Sequence, residues 1–498
     1  MRWLIALALV AIVLRVGRPV WHVCRVNLFD VADREQIPDG FVDDASAMNL
    51  TAVQEVWQIP TDPTLAERQL QELLARARRD GSKVAIAGAR HSMGGHTIAP
   101  DGIVIDMRPF NAMSLDQDSL LLTVQSGAIW SDVIDYLDQY QLSVTVMQSN
   151  DSFTVGGSIS VNCHGWQFGH PPIAATVQSF RLMQPNGEIV TCSREENAEL
   201  FGLVLGGYGL FGIILDAELR VVPNRRYRVA RYVVPAIEAL ETFDREVSAK
   251  RDVEMVYARM DVSTDNFLSE VLIYALIHDP AEDGSLPPLE EKEMASLRRQ
   301  IFRGSVDSDY GKRLRWDAET KMQSMITPTH VSRNQVLCEG VEVFANRSQH
   351  STDILHEYFI PRQAVTGFIK DLQQIIPEHH CDLLNVTVRE IETDQDTFLR
   401  YADVPMFSLV MMFNQPRTKE ADLEMQTLTQ AMIDAVLQRG GRYYLPYRLH
   451  ATQMQFEAAY PRGVQFFEYK RQYDPEELFV NQFYLKYGRS PNVGTQEN

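Results

Sequence analysis

A histidine followed by a serine, inside a glycine-rich stretch, is the first feature of this sequence that could do chemistry. In "VAIAGARHSMGGH", His91 and Ser92 come after a short apolar run and before two glycines. Glycines let backbone N–H groups approach an anion closely, and an imidazole is a reactive group near neutral pH. The residues alone leave three uses open: a phosphate-binding loop, a reactive histidine, or an ordinary turn.

Two further segments repeat this pattern within the first half of the chain. They are "SNDSFTVGGSISVNCHGW" and "LGGYGLFGII", and each adjoins a β-patterned run. Three such loops predict a bulky phosphate-bearing cofactor, with three ordinary tight turns as the alternative. No GxGxxG opens a helix and no GxxxxGK[ST] occurs, so the sequence excludes Rossmann and P-loop nucleotide sites.

A polar strand face is a second candidate for chemistry. In "LLNVTVREI", alternation puts Asn385, Thr387 and Arg389 on one face and two valines on the other. Such a face, ending in an arginine, can bind hydroxyls or an anionic group. A solvent-facing or interdomain position is the alternative for these residues.

The elements that must position these residues form a mixed pattern of helices and strands. The stretch from Pro63 to Gly81 has helical spacing and a glycine stop, and "WSDVIDYLDQY" predicts a helix with Ser131 as N-cap. "SKVAIAGA", "GIVIDM" and "LLLTVQSGA" predict strands, and Gln178 to Ser193 predicts a hairpin around Pro-Asn-Gly. Ala281 to Met294 predicts a surface loop, and "YDPEELFVNQFYLKYG" is expected to pack back on an earlier part of the chain.

Composition limits the class of protein. The 498 residues are 45% apolar and 23% charged, which is typical of a globular chain of two to three domains. A formal net charge of −19 argues against nucleic acid as a partner. The five cysteines are scattered and show no metal-ligand spacing, so no metal site is predicted.

The N-terminus has a different character from the rest of the chain. An apolar run from Trp3 to Leu14 is followed by Arg15 and Arg18, and no cleavage site is evident. This pattern predicts that residues 1–28 form an uncleaved membrane anchor. A cleaved signal and a peripheral hydrophobic helix are the alternatives. The side of the membrane is left open.

The glycine-bearing segments and those between them resemble a known family. From Val84 to Val222 the chain carries, in order, "VIDMRPFN", "VQSGAIWSDV", "FTVGGSIS" and "PNGEIVTCS". This series resembles the FAD-binding domain of the vanillyl-alcohol oxidase / p-cresol methylhydroxylase (PCMH-type) superfamily. The resemblance implies an α+β fold: a two-part PCMH-type FAD-binding domain plus an α/β substrate (cap) domain built on an antiparallel sheet. The expected boundaries are 48–224 for the FAD domain, 225–448 for the cap and 449–498 for a C-terminal segment.

The same resemblance implies the residues that bind FAD. His91 matches the histidine that bonds to the flavin in covalent members, with a noncovalent contact as the alternative. The implied cofactor-binding residues are Ala87, Gly88, Ala89, Arg90, His91, Ser92, Met93, Gly94, Ser149, Thr154, Val155, Gly156, Gly157, Ser160, Cys163, His164, Gly212, Ile213, Ile214, Tyr444 and Asn481.

The C-terminal half is similar to sugar-lactone and alditol oxidases and to the decaprenylphosphoryl-ribose 2-oxidase flavoprotein. Those relatives usually have a lysine where this chain has Tyr447, with Arg448 beside it. The implied catalytic residues are therefore Tyr447, Arg448, Arg389, Asn385 and Glu357.

The expected activity is oxidation of a CH–OH group of a sugar-like, aldonolactone or alditol substrate. The substrate is a small molecule or a lipid-linked polyol, and the electron acceptor is oxygen or a quinone. The alternatives are C–N oxidation as in cytokinin dehydrogenases, reduction of a sterol-type double bond, and a non-catalytic FAD-binding protein. Asp151 lies near the position of the cytokinin dehydrogenases' base, but two residues closer to the glycines.

Overall fold

The computed structural model describes residues 17–29, 36–280, 286, 288–289, 295–322 and 329–489. The predicted apolar anchor from Trp3 to Leu14 and most of the predicted loop 281–294 lie outside these residues. Within the described ranges, no helix is both long enough and apolar enough to cross a membrane.

The N-terminal half is built on small sheets. A parallel sheet has the order β3-β5-β4, β1 pairs with β2, and a larger antiparallel sheet has the order β10-β9-β11-β7-β6, with β8 also on β11. The strands are β1 Phe41–Val42, β2 Thr51–Ala52, β3 Glu55–Gln58, β4 Val84–Ala87, β5 Ile103–Asp106, β6 Met113–Asp116, β7 Leu121–Gln125, β8 Leu142–Val144, β9 Val177–Met183, β10 Ile189–Ser193 and β11 Ile213–Pro223.

The C-terminal half is built on one eight-stranded antiparallel sheet with the order β15-β12-β14-β13-β17-β18-β16-β19. Its strands are β12 Arg226–Pro235, β13 Val253–Met260, β14 Glu270–His278, β15 His330–Ser332, β16 Ser351–Pro361, β17 Asp382–Ile391, β18 Met406–Pro416 and β19 Arg442–Tyr443. Together with the helices below, these sheets confirm the predicted α+β class.

Helices flank the sheets. They are α1 Arg18–Phe29, α2 Pro63–Asp80, α3 Trp130–Asp138, α4 Val155–Ser160, α5 Ala198–Val204, α6 Ala239–Phe243, α7 Ala295–Arg303, α8 Asp309–Asp317, α9 Arg333–Leu337, α10 Val365–Ile375, α11 Lys419–Gln438, α12 Gln453–Ala459, α13 Gly463–Tyr473 and α14 Gln482–Tyr487. Short 3₁₀ and π turns join several of them.

Helix α2 follows the sequence signals closely. The Asp62 side chain accepts a hydrogen bond from the Leu65 amide at 2.8 Å, and Gly81 ends the helix in the left-handed conformation. For α3 the prediction of Ser131 as N-cap is wrong. Ile129 occupies that position without a side-chain bond, because the amides of Trp130 and Ser131 donate instead to the carbonyls of Phe153 and Asp151, each at 3.0 Å.

The two faces of the large sheet have different environments. On one face, Tyr358 of β16 and its register neighbour Leu409 pack against Phe368 and Leu372 of α10. The opposite face carries Arg389, whose register partner on β18 is Ser408. This second face lies toward the N-terminal half of the chain, and we call it the site face.

The last elements pack back on the N-terminal half, as predicted. Phe479 forms a parallel bridge with Val84 of β4, and the Asn481 side chain donates to the carbonyls of His96 and Tyr208. The C-terminal segment therefore fixes two of the three glycine-bearing loops.

Candidate active site

The three glycine-bearing loops lie against one another. The Gly206 amide donates to the Ile159 carbonyl at 3.1 Å, and the Tyr208 amide donates to the Ser160 carbonyl at 2.9 Å. Between the first two loops the approach is closer still, because a Cβ atom on Gly88 would lie 2.0 Å from Oγ1 of Thr154. The fold therefore assembles the loops into one wall, and glycine is the only residue type that fits at position 88.

Substitution of Gly88 tests this close approach. Gly88→Ala must displace Thr154, whose Oγ1 caps α4 by accepting from the Gly157 amide at 3.3 Å. We expect a loss of about 1–3 kcal/mol in unfolding free energy and a clear fall in bound flavin per protein. Gly81→Ala is the control, because its positive φ costs about 1 kcal/mol far from the loops. Normal flavin content in Gly88→Ala would contradict the prediction.

Each loop also holds one residue other than glycine in the left-handed conformation. These residues are Arg90 (φ 56°), Asn162 (φ 51°) and Tyr208 (φ 56°). Such conformations are uncommon outside glycine and concentrate at binding and catalytic sites. Eight further residues elsewhere in the described chain share this conformation, so it characterises the three loops but does not by itself mark a site.

The loops fit a large phosphate-bearing cofactor. Thirteen of the predicted FAD residues are buried: Ala87, Met93, Gly94, Thr154, Val155, Gly156, Cys163, His164, Gly212, Ile213, Ile214, Tyr444 and Asn481. The others are half-buried and lie in three short stretches, 88–92, 149 and 157–160. Ser92 Oγ is buried without a hydrogen-bond partner in the described part of the chain, and a small void lies beside Ser160 and Gly212. The residues that would hold FAD thus present an unused polar group.

His91 lies at the edge of this wall with a neutral imidazole. Its ring stacks on Phe153 at a centroid distance of 4.2 Å, and Nε2 lies 3.2 Å from the Ser152 carbonyl oxygen. Burial lowers the pKa of His91, so the ring is unprotonated at neutral pH. If Nε2 donates its proton to Ser152, the Nδ1 lone pair is the one left to react.

A buried polar cluster lies on the site face of the large sheet. Glu357, 3% exposed, accepts hydrogen bonds at 2.5 Å from His164 Nε2 and at 2.5 Å from Ser408 Oγ. Tyr447 donates to the other carboxylate oxygen at 3.3 Å. Burial opposes ionisation of Glu357, but the neighbouring His164, Arg389 and Ser408 outweigh it and lower the pKa of this carboxyl.

His164 has one ring nitrogen available. Burial lowers its pKa despite the attraction of Glu357, so the pair is a neutral imidazole beside a carboxylate. Nε2 therefore carries the proton that is donated to Glu357, and Nδ1 is an acceptor. Nδ1 is buried and has no hydrogen-bond partner among the described residues. This geometry suits a general base that is oriented by a carboxylate.

Two more predicted residues complete this cluster. Arg389 donates to the His164 carbonyl at 3.1 Å and to Ser149 Oγ at 2.8 Å, which fixes the histidine loop to the sheet. The Tyr444 hydroxyl donates to the Val161 carbonyl at 2.8 Å, and its ring lies edge-on to Tyr447. The structure thus brings Glu357, Arg389 and Tyr447 together with the second glycine-bearing loop.

The structure does not bring Arg448 or Asn385 into the cluster. Arg448 forms an ion pair with Asp422 at 2.8 Å and donates to Asn49 Oδ1 at 2.8 Å, so its guanidinium is already bound by these two residues. Asn385 shares the face of Arg389 but lies four residues away, in a separate cavity. These positions favour a structural role for Arg448.

Sequence reasoning missed Ser408 and Tyr401. Ser408 is a lone hydroxyl inside the apolar strand "MFSLVMMF", which is a signal that the sequence does contain. Tyr401 donates to the Asn162 carbonyl at 2.7 Å and stacks on Phe359 at 4.1 Å. It fixes the left-handed residue before Cys163, and no motif in its neighbourhood predicts that contact.

Two families match different parts of the chain. Residues 66–193 match the family described as FAD binding domain, and residues 308–487 match D-arabinono-1,4-lactone oxidase. The first match covers the first two glycine-bearing loops, and the second covers Glu357, Arg389 and Tyr447.

Individual relatives agree with both matches. L-gulonolactone oxidase of Bos taurus is 29% identical over 36% of this chain and 41% of its own. Cytokinin dehydrogenase 2 of Arabidopsis thaliana is 28% identical over 44% of this chain and 42% of its own length. Cytokinin dehydrogenase 6 of Oryza sativa subsp. japonica is 34% identical over 33% of this chain and 32% of its own length. The chain therefore spans about two fifths of the length of the first curated relatives it matches. The N-terminal half is thus similar to an FAD binding domain and the C-terminal half to D-arabinono-1,4-lactone oxidase, and the chain is an FAD-dependent oxidoreductase similar to L-gulonolactone oxidase.

Proposed function

We propose that the protein oxidises a CH–OH carbon of a polyol, sugar or aldonolactone. The observation that carries this proposal is His164 Nδ1, which has no hydrogen-bond partner among the described residues, while Nε2 of the same ring is hydrogen-bonded to Glu357. Oxidation of an alcohol needs a group that removes the hydroxyl proton, and a neutral, oriented imidazole is suited to that task. When bound, FAD supplies the hydride acceptor.

Each residue of the cluster has a distinct part in this proposal. His164 takes the hydroxyl proton at Nδ1, and Glu357 holds the ring in the required tautomer and stabilises the imidazolium that forms. Tyr447 stands where relatives have a lysine, and its hydroxyl donates a hydrogen bond to Glu357. Arg389 keeps the His164 backbone in place.

Anaerobic mixing of the flavin-loaded protein with candidate substrates tests the proposal. We expect alditols or aldono-1,4-lactones to bleach the flavin absorbance. Bleaching by an N6-substituted adenine instead would establish C–N oxidation, which the similarity to cytokinin dehydrogenases keeps as the second candidate. Bleaching by NADPH alone would indicate a reductase. If none of these compounds reduces the flavin, the result would contradict the proposal that the protein is a catalyst of this kind.

We propose further that FAD is bonded to His91 through Nδ1. Because Nε2 faces the Ser152 carbonyl, Nδ1 is the nitrogen with a free lone pair. In acid-precipitated protein we expect flavin fluorescence in the pellet, and we expect it to be lost in His91→Ala. Phe153→Leu, which keeps the histidine but removes its stacking partner, should retain the pellet fluorescence. Flavin in the wild-type supernatant would contradict covalent attachment.

The acceptor and the location are also proposals. Oxygen is the electron acceptor that is suggested by those relatives that are named oxidases. Stoichiometric formation of peroxide during turnover would establish oxygen as the acceptor, and turnover only with an added quinone would refute it.

The apolar run from Trp3 to Leu14 supports attachment to a membrane. We expect the full chain to stay in the membrane fraction after a high-salt wash, and its release by salt would contradict an inserted anchor.

A further inference from the structure

Helix α1 presents an exposed face that is both apolar and basic. Val20 is 56% exposed and Trp21 is 65% exposed, and the exposed Cys24 lies one turn further along the helix. Residues three and four apart share a face of a helix, so these three side chains form one stripe. Arg18 and Arg25, which are also exposed, lie on either side of Trp21 along the helix. We call these residues the outer face of α1.

The opposite face of α1 is docked on two helices of the C-terminal half. His22 Nε2 lies 2.9 Å from the Gly304 carbonyl oxygen, directly after α7, and its ring packs edge-on against Tyr310 of α8 at 5.2 Å. Glycine makes room for this imidazole, because a Cβ atom on Gly311 would lie 2.9 Å from Nε2. The Arg18 guanidinium lies over the Tyr310 ring at 4.1 Å. Helix α1 is therefore fixed to α7 and α8 by its inner face.

Charge separates the N-terminal segment from the rest of the chain. Residues 1–29 contain four arginines and no acidic residue, so all 66 acidic residues of the chain come after them. Because the whole chain has a formal net charge of −19, an anionic surface repels most of the protein and attracts this segment. The outer face of α1 is thus complementary in charge to an anionic surface.

The sequence places α1 directly after the apolar run from Trp3 to Leu14. That run has twelve residues, fewer than the roughly 20 that a helix needs to cross a bilayer. Helix α1 begins four residues later, at Arg18, and a chain of that length spans at most about 14 Å. When the run inserts, α1 is held at the bilayer surface, where tryptophan is favoured and arginine meets anionic headgroups.

We propose that the outer face of α1 contacts an anionic lipid surface and holds α7 and α8 beside the bilayer. The inference rests on the proposed membrane attachment and deepens it by naming the surface in contact and the kind of lipid. Val20 and Trp21 enter the headgroup region, and Arg25 pairs with anionic headgroups. Because α1 is docked on α7 and α8, the contact sets the orientation of the protein and not only its distance from the bilayer.

Brominated phospholipids test this contact with the full-length, flavin-loaded protein in vesicles that contain phosphatidylglycerol. Bromine on the acyl chains quenches only those tryptophans that reach the lipid. We expect Trp21→Phe to lower the lipid-quenched emission about twofold, because Trp3 is the other tryptophan of the N-terminal segment. Trp57→Phe, at a half-buried position in β3, is the matched control and should leave the quenched emission unchanged.

Flotation of the vesicles separates the two proposals. Unchanged quenching in Trp21→Phe, in a protein that floats with the vesicles, would overturn the contact and leave the attachment intact. A protein that does not float with them would refute both. Trp21 emission that responds to protein concentration instead of to brominated lipid would identify a second copy of the chain as the occupant and overturn the lipid contact.

Charge reversal tests the kind of lipid. Arg25→Glu should weaken the quenching of Trp21 in phosphatidylglycerol vesicles, since one arginine near an anionic surface changes binding by about fivefold. Arg68→Glu, at an exposed position on α2, makes the same change in net charge and should behave like the wild type. Equal quenching in the wild type and both variants would overturn the recognition of anionic lipid.

Discussion

Glu357→Gln is expected to slow flavin reduction by about 10²- to 10⁴-fold, the range attributed to a positioned general base. The carboxylate accepts from three donors, His164, Ser408 and Tyr447. His164 and Ser408 share one carboxylate oxygen, so an amide of the same shape can keep its oxygen toward them and turns its NH₂ group toward Tyr447. The amide carries no charge, so it no longer stabilises the imidazolium that forms at His164. Anaerobic stopped-flow bleaching with saturating substrate measures the effect.

The loss should be chemical rather than a failure to fold. Because the amide leaves a buried donor unsatisfied, we expect about 1–3 kcal/mol of destabilisation, and flavin binding should persist. Glu390→Gln is the matched control, since Glu390 lies on the same strand as Arg389 and its carboxylate faces the Gly169 amide at 3.4 Å. A Glu357→Gln protein with flavin bound and wild-type reduction rates would remove the His164 pair from the mechanism.

Acidification is expected to unfold the protein through two buried histidines. Burial lowers the pKa of His96 and of His356 to about 3 in each case. The unfolded chain therefore binds more protons than the folded one between pH 6.5 and about 3, and the stability present above pH 6.5 is lost as the pH falls. Each histidine contributes a loss of about 1.4 kcal/mol per pH unit in that window. Because a histidine of the unfolded chain is only half protonated at pH 6.5, the two together should cost about 3 kcal/mol from pH 6.5 to pH 5.

Urea unfolding at several pH values measures this loss. His356 packs against Phe413 and receives only the Tyr358 hydroxyl at 3.2 Å, so His356→Phe removes the titrating group from an apolar surrounding. We expect this variant to avoid about 1.5 kcal/mol of the loss between pH 6.5 and 5. His350→Gln, at an exposed position, should keep the wild-type slope. An unchanged slope in His356→Phe would show that other groups govern acid unfolding.

Local signals in the sequence were sufficient for several parts of the fold. The periodicity, Asp62 and Gly81 delimit α2, and the Pro-Asn-Gly turn lies between β9 and β10. The predicted N-cap of α3 was wrong because a tertiary bond, from the Ser131 amide to the Asp151 carbonyl, replaces the side-chain cap that local propensity favours. Such a bond joins residues far apart in the sequence, so no local pattern announces it.

From the sequence by itself, the glycine-bearing loops predicted a phosphate-bearing cofactor, and the resemblance of the ordered motifs implied FAD and the α+β fold, because such motifs act within one loop and keep their order along the chain. It also placed Asn385 and Arg389 on one face, since strand alternation is local. Only the tertiary structure decided which of these polar residues meet. Arg448 is drawn away by Asp422, Asn385 falls into a separate cavity, and Ser408 reaches Glu357. Those outcomes depend on strand register and on charge partners distant in sequence, which are fixed only when the sheet and the loops pack together.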